Sequence, residues 1–160
     1  MGAANTNDED GIKIVCRNKR AFHEYNVSDR LECGIVLTGT EVKSLREGTA
    51  SLEDAYAKLE NGEVWLIGSD IPEYSRGNLM NHKPKRPRKL LLHRREIGKF
   101  AGKASQRGFT LVPLRMYFKR GRAKIELGVA RGKQFHDKRQ DLKKADAQRD
   151  MRRAMTERRR

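Results

Sequence analysis

Beyond Gly132 the chain almost stops supplying large apolar side chains. From Asp137 to Arg160 only Leu142, Met151 and Met155 qualify. A core must therefore be built upstream, and whatever follows Gly132 has to stand without one. Acids precede bases at i, i+3 in this tail (Asp141/Lys144, Asp146/Arg149, Asp150/Arg153, Glu157/Arg160), and each such pair supports a helix by only about 0.2–0.5 kcal/mol. Ala147, Met151 and Met155 add a thin i, i+4, i+8 stripe. Isolated helices of this length are marginal in water. The tail, residues 134–160, is thus expected to be disordered when free and helical when bound.

The upstream part, residues 11–133, reads as one domain of short strands. Ile12 to Cys16 is a β-rich run, Asn18 to Arg20 a polar turn, and Ala21 to Tyr25 a helical turn. Glu32 to Thr38 is a continuous apolar run, expected to be a buried strand. Thr40 is placed to N-cap a short helix through Glu47, with Glu41 in its first turn and Gly48 as its stop. Ala55 to Leu59 and Val64 to Ile67 flank Asn61-Gly62, the strongest short hairpin signal, because a type I′ turn needs positive φ at both central positions. Residues 75–89 form a loop broken by Pro84 and Pro87. A helix is expected from about Leu91 to Gln106, with Ile97, Phe100, Ala101 and Ala104 on one face, Lys99 and Lys103 outward and Gly108 as its stop. Phe109 to Phe118 and Ala123 to Ala130 make a second hairpin around Lys119-Arg120-Gly121-Arg122, in which Pro113 marks an edge or a bulge. Several short strands with one mid-chain helix predict a mainly β fold, a small closed barrel, rather than βαβ units. Phe22, Trp65, Phe100, Tyr117 and Phe118 are assigned to its core.

The 160 residues carry a net charge of +15, with a pI near 10.2. That field calls for a polyanionic partner, either nucleic acid or an anionic membrane surface, because each cation seated on a phosphate releases condensed counterions. No apolar run approaches the roughly 20 residues that span a bilayer. Met1 to Asp10 lacks the basic and apolar regions of a secretion signal and reads as a disordered polar leader. Gly2 with Thr6 fits a loose acylation pattern, but Asp8, Glu9 and Asp10 would be repelled by anionic lipid.

Chemistry-bearing patterns are sparse. His23, His82, His93 and His136 are scattered, and no HxxxH, HExxH or CxxC spacing exists, so no metal or other cofactor is expected. Cys16 and Cys33 sit in apolar runs and read as small buried thiols. There is no GxSxG elbow and no P-loop. Glu53 and Asp54 are the closest acidic pair, and capping explains them more simply than Mg²⁺ binding does. No catalytic constellation emerges. The basic run Lys83, Lys85, Arg86, Arg88, Lys89, Arg94, Arg95 is more informative. It reads either as a solvated face or as a phosphate-contacting surface; the scarcity of acids along it, with Glu96 just past its end, favours the second. Tyr25, Tyr74, Phe135 and His136 lie near cations and are placed either to pack or to stack on unpaired bases.

Six stretches together carry a resemblance: NKRAFHEY (18–25), ECGIVLTGTEVKSLREG (32–48), DAYAKLENGEVWL (54–66), RPRKLLLHRREI (86–97), GFTLVPLRMYFKRGRAKIELGVARGK (108–133) and DKR (137–139). In order and without large gaps they resemble the SsrA-binding protein (small protein B) family. The resemblance implies an oligonucleotide-binding-like barrel with a few short helices and a basic C-terminal tail. It implies binding to the tRNA-like domain of transfer-messenger RNA. It further implies delivery of the alanine-charged RNA, with elongation factor Tu, to stalled ribosomes in trans-translation, in the cytoplasm. The tail would enter the empty mRNA channel at the decoding centre, against 16S rRNA. Carried onto matching positions, RNA binding falls to Asn18, Arg20, Glu32, Lys43, Lys89, Leu91 and His93. The decoding-site group is Gly132, Lys133, His136, Asp137, Lys138 and Arg139. Gln134 stands where the family commonly has a second Lys, and Cys33 where Ala is usual. Two readings compete with this one on composition: a ribosomal or assembly protein with a basic extension, and a metal-dependent nuclease, which would need clustered carboxylates.

Overall fold

Both expected hairpins form. Asn61 and Gly62 take φ of 51° and 74°, and Arg120 and Gly121 take 51° and 74°, the doubly positive pair of a type I′ turn. The computed structural model describes residues 11–157, apart from the side chains of residues 135–137 and 157. The leader read at Met1–Asp10 and the Glu157/Arg160 pair lie outside the described residues.

Seven antiparallel strands make up the body: β1 (Ile12–Arg17), β2 (Tyr25–Ile35), β3 (Tyr56–Glu60), β4 (Glu63–Ile67), β5 (Arg88–Leu91), β6 (Phe109–Lys119) and β7 (Arg122–Gly132). Pairings run round a ring, β6–β3–β4–β5–β2–β7 and back to β6, with β1 paired to β6. The β3–β6 seam is the narrowest, with one register pair, Ala57↔Leu111. The helices are α1 (Lys19–Glu24), α2 (Gly39–Arg46), α3 (Arg94–Ala104) and α4 (Phe135–Glu157). The core gathers Leu45, Leu52, Leu66, Ile71, Met116, Ile125, Leu127 and Val129 from strands, α2 and loops.

Several boundaries differ from the sequence reading. The strand expected at Glu32–Thr38 starts earlier, at Tyr25, and alternates half-buried with exposed along most of its length. Its long pairing with β7, from Tyr25↔Gly132 to Gly34↔Lys124, holds the polar half in the sheet. Thr38 rather than Thr40 opens α2; its N–H donates to Glu41 Oε2 at 2.8 Å. The stretch read as a helix from Leu91 contains a strand end, since β5 pairs Arg88, Lys89 and Leu90 with β4. Only Arg94–Ala104 is helical, capped by Ser105, with Gly108 in the following turn. Phe100 anchors that helix in the core, as its periodicity predicts, while Lys103 turns back to pair with Asp29. Phe22, assigned to the core, is 43% exposed. It lies under the Arg30 guanidinium instead, 5.5 Å from ring centroid to Cζ. Trp65 is half-buried.

Pro113 does mark a bulge: the β6–β7 register shifts between Pro113 and Arg115. The bulge leaves carbonyls pointing off the strand, and Asn18 takes two of them. Its N–H donates to Leu114 O (2.7 Å) and its Nδ2 to Pro113 O (3.0 Å). The basic tail forms a continuous helix, α4, the form expected of it when docked. Leu142, Met151 and Met155 stay exposed along it. Of the expected i, i+3 pairs, Asp146–Arg149 closes at 3.6 Å, whereas Asp141 turns to Lys133.

Candidate nucleic-acid interface

The β2–β7 register and the end of β5 build an open groove of about 760 Å³. Glu32, Gly34 and Ile35 of β2 form its floor, and Leu91 and His93 line one wall. Arg122 and Lys124 of β7 line the other. Gly34 lets β5 approach closely here: a Cβ at that position would stand 3.1 Å from Leu91 Cβ and push it back by a few tenths of an ångström. Leu91 is 52% exposed, an apolar shelf beside charged neighbours. Three residues carried over from the family resemblance, Glu32, Leu91 and His93, thus meet across 61 residues of sequence.

Glu32 is held as an anion. Tyr117 donates its hydroxyl to Oε2, and Lys119 Nζ lies 3.2 Å from the same oxygen. The Tyr117 bond, with Lys119 and Lys124 behind it, outweighs partial burial and keeps the carboxyl below its ordinary range. The second carboxylate oxygen, Oε1, also takes Lys119 Nζ at 3.4 Å, and its remaining lone pair can accept from base or ribose donors. Around it, Arg120, Arg122 and Lys124 crowd the hairpin tip with positive charge. Sequence reasoning passed over these three as turn and strand residues. Period-two alternation along β7 puts Arg122 and Lys124 on the same face; only the pairing Glu32↔Glu126 shows which face that is.

The other carried-over residues are distributed along the body. Lys89, paired with Glu63, joins Leu91 in an adjoining depression beside Arg94. Lys43 projects from α2 over the Tyr74 ring, 5.5 Å from its centroid. Arg20 is exposed and bridges Glu24 and Asp54 at 2.9 Å each. Asn18 is buried and fully used: Oδ1 accepts from Ala21 N–H at 3.0 Å, while Nδ2 donates to Leu52 O and Pro113 O. It holds α1 against the β6 bulge and has no side-chain atom free for a ligand. Arg20 and Asn18 sit apart from the groove, near the tail root. There Lys133 N–H donates to Glu24 O at 2.8 Å and Lys133 Nζ pairs with Asp141. Gly132 ends β7 opposite Tyr25; Lys138 and Arg139 follow in the first turns of α4, and the side chains of His136 and Asp137 lie outside the described residues.

The basic run 83–95 splits into two populations. Arg88 is 0% exposed: Nε donates to Glu41 Oε1 (2.9 Å), NH1 to Ser69 O and Oγ, and NH2 to Pro84 O. Arg86 clamps the same carboxylate through Nε and NH2, both at 2.7 Å. Arg88 is therefore an internal strut, and Arg86, partly exposed, has its guanidinium committed to the same carboxylate. The reading from sequence missed this because their counter-ion lies 45 and 47 residues away, on α2. His82 is buried between Thr40 Oγ1 and Ile71 O, 2.8 Å from each. Since a carbonyl only accepts, Nε2 carries the hydrogen. Lys83, Lys85, Arg94 and Arg95 remain as surface cations.

Cys16 and Cys33 are free thiols, pushed up by burial to about 11 and about 12. Among the described residues no group of three or more side chains is arranged to hold a metal ion, and no helix is long and apolar enough to cross a membrane.

Comparison with known proteins bears on this arrangement. The sequence model of one family, described as SmpB protein, matches residues 15–157. An SsrA-binding protein of Thermobifida fusca is 55% identical over 149 residues, 93% of each chain. Another, of Saccharopolyspora erythraea, is 56% identical over 147 residues, covering 92% of this chain and 93% of that one. A chain from a solved structure described as "tmRNA-SmpB: a journey to the center of the bacterial ribosome" superposes with a TM-score of 0.65 at 47% identity, over 75% of this chain and 85% of that one.

Proposed function

Because the chain belongs to the SmpB protein family, we propose that it binds SsrA RNA, the transfer-messenger RNA, and acts with it on the ribosome in trans-translation. It is a binding protein with no reaction of its own. One observation carries the reading beyond likeness: the fold assembles Glu32, Leu91 and His93 into a single cation-rimmed groove. In that groove the anionic Glu32 accepts from base or ribose donors, Leu91 supplies an apolar surface, and Arg122 and Lys124 meet phosphates. Phosphate contacts position RNA, and edge and apolar contacts discriminate it.

The finer division of labour is part of the same proposal. The body binds the tRNA-like domain, with Lys43 and Lys89 adding contacts around the groove, Arg20 adding one apart from it near the tail root, and Asn18 supporting α1 from beneath. The tail, from Gly132 and Lys133 through His136, Asp137, Lys138 and Arg139, enters the empty mRNA channel at the decoding centre. Elongation factor Tu accompanies the alanine-charged RNA. The exposed, basic and coreless α4 suits a channel walled by rRNA better than a protein-protein interface. Deleting the residues after Gly132 is expected to leave affinity for transfer-messenger RNA nearly unchanged while abolishing peptide tagging in a reconstituted stalled-translation assay. Equal loss of both would refute the division. Affinity should also fall steeply with salt, with a slope set by the phosphates neutralised; a flat dependence would refute phosphate contact altogether.

A further inference from the structure

The most exposed apolar side chains in the described structure are adjacent, at the tip of the loop between β4 and β5. Leu79 is fully exposed and Met80 is 86% exposed. They are the central pair of a turn closed by Asn81 N–H to Asn78 O at 3.2 Å. Met80 N–H is tied to Asn78 Oδ1 at 3.0 Å. The base of the loop is cross-braced by Asn81, whose Nδ2 donates to Tyr74 O (2.9 Å) and whose Oδ1 accepts from Tyr74 N–H (3.3 Å) and His82 N–H (3.1 Å). Immediately beyond, His82 is buried and Arg88 is locked on Glu41. The tip is thus mounted on the body through a chain of hydrogen bonds, and its two apolar side chains face solvent.

Two adjacent large apolar residues held outward on a braced turn mark a contact surface. The charges around them specify its kind. Arg76 precedes the tip, Lys83 and Lys85 follow it, and Lys43 stands over Tyr74 at its base. Within residues 74–89 no acid interrupts these cations. A protein partner would need an acidic face to match such a ring, whereas any RNA supplies the anions along its backbone: the cations seat phosphates while Leu79 and Met80 press on base faces, as apolar wedges do at unstacked steps. We propose that the Leu79–Met80 tip is a wedge that packs against an unstacked nucleobase of structured RNA, extending the interface from the groove across α2. The proposal rests on the RNA-binding reading above. Either transfer-messenger RNA or ribosomal RNA would offer this chemistry.

The test uses the full chain. Leu79→Ser with Met80→Ser removes the wedge and leaves every hydrogen bond of the turn in place, so the melting temperature should not move. Binding is measured to a transcript of the tRNA-like domain and, separately, to small ribosomal subunits carrying an open mRNA channel. The double variant should bind at least one of them about tenfold more weakly, with an unchanged salt slope. Lys83→Ala with Lys85→Ala should instead flatten the slope. A photoactivatable methionine analogue at position 80 should cross-link to RNA in the affected complex. Wild-type affinity of the double variant in both arms overturns the wedge while the RNA-binding reading stands; so does cross-linking to protein alone. Failure of the wild-type chain to bind either RNA would overturn both.

Discussion

Removing the Glu41 carboxylate should unfold this protein far more readily than a change at one side chain usually does. Glu41 is 0% exposed and accepts four hydrogen bonds, from Thr38 N–H, from Arg86 Nε and NH2, and from Arg88 Nε. Glu41→Ala would leave Arg88, also 0% exposed, with neutral acceptors only. Breaking a buried pair by removing one partner costs about 3–5 kcal/mol, because the survivor keeps an uncompensated charge. For a domain of this size that is a fall of roughly 10–20 °C in Tm. Glu41→Ala together with Arg88→Met removes both charges, and should recover more than half of the loss. Urea and thermal unfolding, followed by far-UV circular dichroism, measure all three. A loss below about 1 kcal/mol for the single variant would refute the claim that this cluster braces the loop between β4 and β5. The pair also carries a pH signature. Burial raises the Glu41 carboxyl, but hydrogen bonds from Arg86 and the Thr38 N–H, with the Arg88 charge, outweigh it and leave it below its ordinary range. Burial pulls Arg88 downward despite Glu41, yet a guanidinium stays charged throughout the acid range. A depressed carboxyl gives stability that is present above its unfolded value, about 4.3, and is lost as pH falls through the lower folded value. Wild type should therefore lose stability below about pH 4, and Glu41→Ala should show a shallower acid limb.

Tyr117→Phe removes the main donor to Glu32, so the Glu32 carboxyl should rise toward its ordinary range in an NMR pH titration; an unmoved titration would mean that Lys119 alone holds it down. Asn18→Ala should destabilise by roughly 2–4 kcal/mol, since it deletes a helix cap and leaves two buried carbonyls unpaired, with RNA affinity of the folded fraction falling only in so far as α1 is displaced; urea midpoints and binding isotherms separate these effects. Cys33, 1% exposed with its thiol pushed up to about 12, should react with a disulfide reagent at pH 8 only at the unfolding rate, whereas Cys16, expected to be buried but only partly so, should react sooner, slowed by a thiol pushed up to about 11; prompt modification of Cys33 in the native protein would refute its burial.

Much of the local structure is legible in the sequence, because its signals are local. Asn61-Gly62 dictates its turn through backbone φ alone, whereas Arg120, a residue type that seldom takes positive φ, is held at 51° by the β6–β7 pairing on either side. Pro113 announces a bulge because it lacks an N–H. The periodicity of Ile97, Phe100, Ala101 and Ala104 marks an amphipathic helix, which the burial of Phe100 then holds, and the poverty of apolar residues after Gly132 assigns the tail to a solvent-exposed role. Family resemblance, carried by contiguous stretches, names Glu32, Leu91 and His93. What the sequence leaves open is every property decided by a distant partner. The polar first half of β2 is a strand because β7 pairs with it. Arg86 and Arg88 look like their neighbours Lys83 and Lys85, yet the first two are locked on a carboxylate and the other two are exposed. That choice belongs to Glu41, which reaches them only when α2 packs against the end of β5. Arg122 and Lys124 join the groove because the β2–β7 register sets them beside Glu32. Charge and pattern are written along the chain; burial and counter-ion are properties of pairs, and only the folded structure chooses the pairs.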